Sequence, residues 1–454
     1  MSQLDASIAQ LVIPDLEHAF AASVVAVGWV ALAYLLTLAA LLPVFGRLAD
    51  VFGRTRLYTL GFAIFVAGSA ACGFAPSLGA LVAARVLQAA GAALLQANSV
   101  AIVVSAAGPA RRGKAIGIQA TAQAAGLSVG PALGGFLIHA LGWRWVFWIN
   151  VPAGVVGIAL ALAFLPRGER ARGHGEPFDW VGAATLGPAL TALLLALSFG
   201  FGWGLGSPRT LGTLAAAVVL LVVFIRRERR FAYPLVSLRL FADRAFAAGN
   251  TAGFFSYAVL FGTFFVVPFA LERGYGESPL DAGLRLTLVP LALALVAPLA
   301  GGLSDRLGSK PLALAGALTT TAALVLAALA FRAPGSDLVR ATIALALLGA
   351  GQGLFTAPNN SAIMASATPA TVGAAGGILN VMRSLGTSFG VAAASAAFAL
   401  FSGGHAASHA ATVLDATHRT FALLAALSCL GALAVAFGPG RTTALGEDAA
   451  AALA

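Results

Sequence analysis

Long apolar runs dominate the chain, interrupted at intervals by short clusters of charge. They lie near 24–45, 57–75, 79–106, 115–138, 145–165, 180–199, 210–225, 245–271, 284–303, 312–331, 341–365, 374–400 and 421–438. A helix needs about 20 residues to cross a hydrocarbon core of about 30 Å, and these runs are of that order. They are continuous, whereas the strands of a membrane barrel alternate over roughly ten residues, so the pattern predicts thirteen helical spans. The longest polar gaps, near 226–244 and 402–420, are too short to bury a soluble core of their own. The expected fold class is an all-α polytopic membrane protein.

The first residues are a special case. "LDASIAQLVIP" runs only from Leu4 to Pro14 before Asp15, Glu17 and His18. As helix that stretch is roughly 16 Å, about half a bilayer. It lacks the basic leader and small-residue cleavage site of a signal peptide. Two readings compete: a short re-entrant or interfacial segment, or the outer half of a first helix truncated at its N-terminus. The second is favoured.

Composition agrees with the bilayer. Of 454 residues, 59% are hydrophobic and only 10% charged, far below the roughly one quarter typical of soluble domains. Cys72 and Cys429 sit in distant apolar runs, which argues against a disulfide framework or a thiolate metal site. The net charge of +10 would suggest nucleic acid in a soluble protein, but the basic residues cluster in alternate loops. With the 46–56 loop cytoplasmic, eighteen Lys and Arg fall on that side and seven on the other. The positive-inside rule therefore places the 46–56 loop and the C-terminus in the cytoplasm, and accounts for the basic balance without nucleic acid.

One charged loop is spelled twice. "GRLADVFGRTR" at 46–56 and "GGLSDRLGSK" at 301–310 share a Gly four residues before an Asp, a Leu two before and a Gly three after. These are Gly46, Leu48, Asp50 and Gly53, then Gly301, Leu303, Asp305 and Gly308, with Arg54 following the first set. Glycine at a helix end permits a φ > 0 turn, and Asp can accept from exposed backbone N–H groups and attract nearby arginines. Either copy alone fits a solvated turn. The pair implies two similar halves, an arrangement found in transporters with a site between repeats.

These residues resemble the signature loop of the major facilitator superfamily and its weaker second copy. Other segments are similar to the 14-helix drug and proton antiporter branch of that family: "LDASIAQLVIP", "RVLQAAGAAL" from Arg85, "GLSVGPALGG" at 126–135 and "WRWVFWINVPAG" at 143–154. The resemblance covers essentially the whole chain. It implies two six-helix bundles plus two linking helices, which the spans at 180–199 and 210–225 would supply. The implied divisions are an N-terminal bundle at 1–166, linking helices and loops at 167–244, a C-terminal bundle at 245–438 and a cytoplasmic tail at 439–454.

Ionisable residues inside spans mark a function or a pairing, because charge in hydrocarbon costs several kcal/mol. Asp5 should lie near the midplane, with Arg85 in the outer part of its span and Arg383 in the inner part of another. The resemblance implies that Asp5 and Arg85 take part in proton coupling, since a buried carboxylate can be protonated or ionised according to its neighbours. A structural ion pair or a snorkelling arginine is the competing reading, of comparable weight for Arg383. Gly126, Gly130 and Gly134, with Gly135, form a small-residue face suited to close packing, and Pro131 softens the helix. In the family this segment resembles the antiporter motif of exporters, so export is implied by resemblance. Gln88, Asn359, Asn360, Asn380 and Arg383 are candidate cavity-lining residues; ordinary interhelical hydrogen bonds would explain the amides equally well.

An enzyme reading rests on two G-x-S-x-G matches, at Ser128 and Ser388. Both lie in glycine-rich apolar runs, without the strand, strained turn and oriented base that a nucleophile needs. No Walker loop or H-E-x-x-H is present, and His405, His409 and His418 read as solvated loop residues. The expectation is a secondary exporter of lipophilic or cationic small molecules, with no cofactor and the proton gradient as energy source. Its partners would be substrate, protons and lipid, with no nucleic acid; the sequence carries no sign of oligomeric state. A transporter of one metabolite and a non-transporting receptor or scaffold are the alternatives. The preference for 25 Arg over 2 Lys suggests a GC-rich bacterial genome and hence the inner membrane of a bacterial cell.

Overall fold

The computed structural model describes residues 2–107, 112–165, 178–204, 206–232, 234–236, 238–332, 338–366, 372–403 and 409–438. Among these every regular element is helical. Helices α1 (Ser2–Leu11) and α2 (Ile13–Phe20) are followed by α3 (Val24–Phe52), α4 (Arg54–Gly73), α5 (Leu78–Ala107) and α6 (Arg112–Leu141). Next come α7 (Trp145–Trp148), α8 (Asn150–Phe164), α9 (Trp180–Trp203) and α10 (Pro208–Arg230). The remainder is α11 (Arg244–Phe269), α12 (Pro279–Leu307), α13 (Ser309–Ala330), α14 (Leu338–Ala365), α15 (Val372–Phe401) and α16 (Ala410–Phe437). Twelve helices of the described residues are long and apolar enough to cross a bilayer, and α6 adds a shorter apolar stretch, Ala125–Leu141. The arginine-rich ends are called here the basic side.

Polar residues start several helices where the sequence allows. Ser23 caps α3, Ser207 caps α10, Ser278 caps α12, and Asp243 accepts from the backbone N–H groups of Ala245 and Phe246 at the start of α11.

The structure departs from the sequence expectations at three places. First, the charged motif is almost no loop at all. Helix α3 continues to Phe52 and α4 begins at Arg54, so the turn is Gly53 alone, at φ 98°. Its second copy repeats this with Gly308 at φ 85° between α12 and α13. Hydropathy marks the charged residues as loop, but Arg and Leu are good helix formers and long side chains reach water from a helix end. Second, the opening helix does not stop at Pro14. Pro14 lies in the first turn of α2, where its missing N–H costs nothing, and Val12 between the two segments is itself helical. The run Ser2–Phe20 rises about 28 Å, not 16 Å. Third, α16 begins at Ala410, so His418 lies on a helix, its Nδ1 2.8 Å from the Ala328 carbonyl oxygen. His405, the 166/167 division and the 439–454 tail fall outside the described residues.

The helices pair twice in the same pattern. In the first half α4 packs on α5, α3 on α5, α1 on α6 and α4 on α8. In the second, α13 packs on α14, α12 on α14, α11 on α15 and α13 on α16. Each half has one tight crossing of glycine on glycine. A Cβ on Gly61 would come 3.1 Å from the Gly91 carbonyl oxygen, and one on Gly351 would come 2.9 Å from that of Gly316. Only glycine lets two backbones approach so closely, which is how helices gain packing contact where lipid removes the hydrophobic drive.

The halves meet through α3 against α15 and α6 against α12. This seam is sealed on the side away from the arginines. Every residue of α11 from Ala258 to Phe269 is buried, as is Val391–Ala397 of α15, while Pro43–Leu48 of α3 on the basic side are only half-buried. Glu17 of α2 and Arg273, in a π-helical turn at Ala270–Gly274, form a 2.5 Å ion pair across the sealed end. Arg273 also donates to the Pro14 carbonyl at 2.9 Å.

Helix α9 lies alongside both α3 and α15, with Phe199 stacked on Trp29 at 5.9 Å. Its start and the end of α10 are tied together by charge. Asp179, fully buried, accepts from the Gly182 N–H and from Arg227 Nε at 3.0 Å, and Glu228 accepts from the N–H groups of Leu235 and Val236.

Candidate functional site

Arg85 and Gln88 are three residues apart on α5 and so share one face, as do Ser69 and Cys72 on α4. These faces meet Asp5 of α1, Asn150 at the start of α8 and Tyr34 of α3. Asp5, Arg85, Gln88, Asn150, Ser69, Cys72 and Tyr34 are all at most 1% exposed. Asp5 lies level with the middle of α6, because Leu4 and Ser7 on either side of it abut Gly126 and Gly130.

Asp5 is held by three donors. Its Oδ2 accepts from Arg85 Nη1 at 2.7 Å, and its Oδ1 accepts from Gln88 Nε2 at 2.9 Å and Asn150 Nδ2 at 2.8 Å. Each donor has further anchors. Arg85 donates through Nε to the Val30 carbonyl at 3.1 Å and through Nη1 to Gln88 Oε1 at 2.6 Å, and its guanidinium lies 4.1 Å from the Tyr34 ring centroid. Gln88 Nε2 donates to Ser69 Oγ at 2.5 Å.

This arrangement fits an ionised carboxylate. An ionised Asp is an acceptor only, so three donors suit it, whereas a protonated Asp carries a hydrogen of its own that needs an acceptor. Protonation at Asp5 therefore changes the bonding between α1 and the helices around it. The Tyr34 hydroxyl and Asn150 Oδ1 are buried without partners among the described residues, so the network has unused hydrogen-bonding capacity beside the carboxylate.

Gln88, expected as a cavity-lining residue, instead belongs to this network. Sequence reasoning missed Asn150, Ser69 and Tyr34. Asn150 carried a signal, a lone amide in the apolar run "WVFWINVPAG"; serine and tyrosine are too common in helices to stand out.

The antiporter-type segment lies between two neighbours. Gly130 faces Ser7, Gly134 faces Ile8 and Leu11 of α1, and Gly135 faces the Pro279 carbonyl of α12. Pro131 turns its own carbonyl toward Gly283 of α12. Thus α6 touches both the Asp5 helix and the other half.

In the second half, Asn359 and Asn360 of α14, Arg383 of α15 and Asn250 and Tyr257 of α11 surround a cavity of about 10 Å³. Asn359 Nδ2 donates to the Gly249 carbonyl at 3.0 Å, and the Arg383 guanidinium lies 5.2 Å from the Tyr257 ring centroid. Asn380 is half-buried on α15. Of the paired motifs, Gly46 is half-buried near the end of α3, and the side chains of Asp50 and Asp305 lie outside the described residues. Ser128 and Ser388 both lie within helices, and Ser388 Oγ donates back to the Ser384 carbonyl, so neither forms a nucleophile elbow.

Two similarly paired halves around a sealed seam, with a buried carboxylate and arginine in one of them, define a helical membrane transporter. The chain belongs to the Major Facilitator Superfamily, whose sequence profile matches residues 1–241 and 250–452. Members of this family move solutes and are not enzymes. The chain is 33% identical over 439 residues to the riboflavin transporter RibZ of Clostridioides difficile (strain 630), covering 96% of this chain and 94% of that protein. It is 32% identical to the tetracenomycin C resistance and export protein of Streptomyces glaucescens, over 86% of this chain and 72% of that one. The multidrug resistance protein Stp of Mycobacterium tuberculosis (strain CDC 1551 / Oshkosh) is also 32% identical over the same shares. Among solved structures, the human organic anion transporter MFSD10 superposes with a TM-score of 0.62 at 16% identity, covering 95% of this chain and 96% of that one. The nucleoside transporter NupG (D323A mutant) superposes with a TM-score of 0.63 at 13% identity, over 96% and 98%.

Proposed function

We propose that the chain is a proton-coupled exporter of small organic molecules, of the 14-helix antiporter type. The observation that carries the reading is Asp5, fully buried and bonded to Arg85, Gln88 and Asn150. A proton arriving at Asp5 changes that set of bonds and alters how α1 is held against α5 and α8. Helix α1 leans on α6, and α6 on α12 across the seam, so the change reaches the other half. The sealed end then opens, substrate leaves, and loss of the proton restores the sealed form. The basic side is cytoplasmic in this reading, in the inner membrane of a bacterial cell, and α9 and α10 are the two linking helices. The paired motifs around Asp50 and Asp305 latch the cytoplasmic ends when the other side is open. The tetracenomycin C resistance and export protein and the multidrug resistance protein Stp among the relatives support export of small organic molecules.

A second reading, transport of one metabolite, is favoured by the riboflavin transporter, whose similarity spans nearly the whole of both chains. One experiment separates them. Inside-out vesicles holding an imposed pH gradient are given a panel of lipophilic drugs and, separately, riboflavin. Substrate-dependent proton release that Asp5→Asn abolishes supports proton-coupled export, and the active compound decides between the two readings. A gradient that no compound disturbs, with inserted protein, refutes both.

A further inference from the structure

The two arginines inside the bundle sit in opposite electrostatic situations. Arg85 is neutralised by Asp5 at 2.7 Å. Arg383, half-buried on α15, has no carboxylate partner among the described residues; its guanidinium lies 5.2 Å from the Tyr257 ring centroid. It borders the second-half cavity together with three amides, Asn250, Asn359 and Asn360. Asn250 is 1% exposed, spends its Nδ2 on the Phe246 carbonyl at 2.9 Å, and leaves its Oδ1 buried with no partner among the described residues. Apart from Thr356, the rest of the wall is apolar or aromatic, including Phe355, Leu379 and Met382.

An uncompensated cation and an unpaired buried acceptor are each costly unless something supplies the missing partner. The complement of this set is specific. It is a negatively charged or strongly accepting oxygen for the guanidinium, a hydrogen-bond donor for Asn250 Oδ1, and a flat apolar body for Tyr257 and Phe355. In the sealed form the space is about 10 Å³, about enough for one water, so a ligand enters only as α11, α14 and α15 part. The side chains lie toward the basic side of α11, which begins at Arg244, and there the seam is already looser.

We propose that this cavity, centred on Arg383 and Asn250, is the substrate subsite of the second half, and that it takes planar aromatic weak acids rich in acceptor oxygens, not permanent cations. The proposal rests on the transporter reading and narrows it, setting aside the cationic part of the substrate range expected from sequence. Like charge beside Arg383 repels, and the Tyr257 ring that would otherwise attract a cation already has the guanidinium 5.2 Å from its centroid.

The test uses two dyes on one xanthene scaffold, anionic fluorescein and cationic rhodamine 6G, titrated against the purified full chain in nanodiscs and followed by fluorescence anisotropy. The native protein should bind fluorescein at least tenfold more tightly than rhodamine 6G. Arg383→Gln should lower fluorescein affinity about tenfold and leave rhodamine 6G unchanged or improved, Arg383→Lys should recover part of the loss, and Asn250→Leu should weaken fluorescein alone. Arg419→Gln, an exposed arginine paired with Asp415 on its own helix, controls for surface charge. Equal or tighter binding of the cation by native protein, an Arg383→Gln variant of native size-exclusion profile with unchanged fluorescein affinity, or no saturable binding of either dye would overturn the proposal. The binding comparison keeps Asp5 native and the pH fixed throughout, whereas proton coupling is read from Asp5→Asn in the vesicle assay, so the two failures are distinct.

Discussion

Replacing Asp5 with Asn keeps the shape of the side chain and removes its charge, so the cost comes from what is stranded. Arg85, 1% exposed, would keep the Gln88 and Val30 oxygens and the Tyr34 ring but lose its counter-ion. Breaking one side of a buried pair costs about 3–5 kcal/mol, mostly from the uncompensated charge left behind. At roughly 2 °C of melting temperature per kcal/mol in chains of a few hundred residues, the expected loss is about 6–10 °C. Removing the stranded charge as well, in Asp5→Asn with Arg85→Gln, should recover most of it. Cys72 reports on the site directly, because its thiol lies 3.7 Å from Gln88 Oε1 and is fully buried. In a Cys429→Ser background, which removes the exposed cysteine, a thiol-reactive dye fluoresces only when this network opens. Melting of Asp5→Asn within 2 °C of the parent, or a double variant no more stable than the single, would refute the claim that the pair is electrostatically interdependent.

Three further outcomes follow from the packing and the seam. Arg273→Gln removes the ion pair to Glu17 at the sealed end, so a membrane-impermeant maleimide should label a Ser395→Cys reporter, buried opposite Gly28, at least tenfold faster. Gly91→Val drives a side chain into the backbone of Phe65, and Gly351→Val into that of Thr320; each should cost about 1–3 kcal/mol by overpacking, read as a lower melting temperature. Asp50→Asn should slow turnover severalfold in vesicle transport with insertion unchanged, and unaltered kinetics would remove the latch role from that motif.

The helices were legible in the sequence because continuous apolar length is a strong signal. Each predicted span meets a helix, and the repeated Gly-Leu-Asp-Gly spelling falls on two matching turns whose glycines take positive φ. The helix ends were less legible. Hydropathy sees Arg47, Asp50 and Arg54 as loop and Asp15, Glu17 and His18 as an end, but backbone hydrogen bonding carries helices past charged residues wherever side chains find water or a partner. Glu17 finds Arg273, 256 residues away, and no local pattern announces such a pair. The site was half legible for a similar reason. Asp5 and Arg85 stand out as charges in apolar runs, whereas Asn150 and Ser69 matter only because α8 and α4 bring them within bonding distance.

The repeat sharpens the contrast between the halves. Since α1 and α6 pair as α11 and α15 do, the helix bearing Asp5 and the helix forming one wall of the Arg383 cavity occupy matching places. The first half closes its cation with a carboxylate, the Gln88 amide, the Val30 carbonyl and the Tyr34 ring. The second keeps its cation open beside Asn250, whose Oδ1 has no partner among the described residues. Under the proposals made here the proton and the substrate are therefore bound on opposite sides of one seam, and neither displaces the other by contact. Their exchange must be coupled through the seam itself, where glycines of α6 press on α1 from one side and on α12 from the other. A side chain large enough to separate those helices should uncouple proton movement from substrate movement while leaving both binding sites intact.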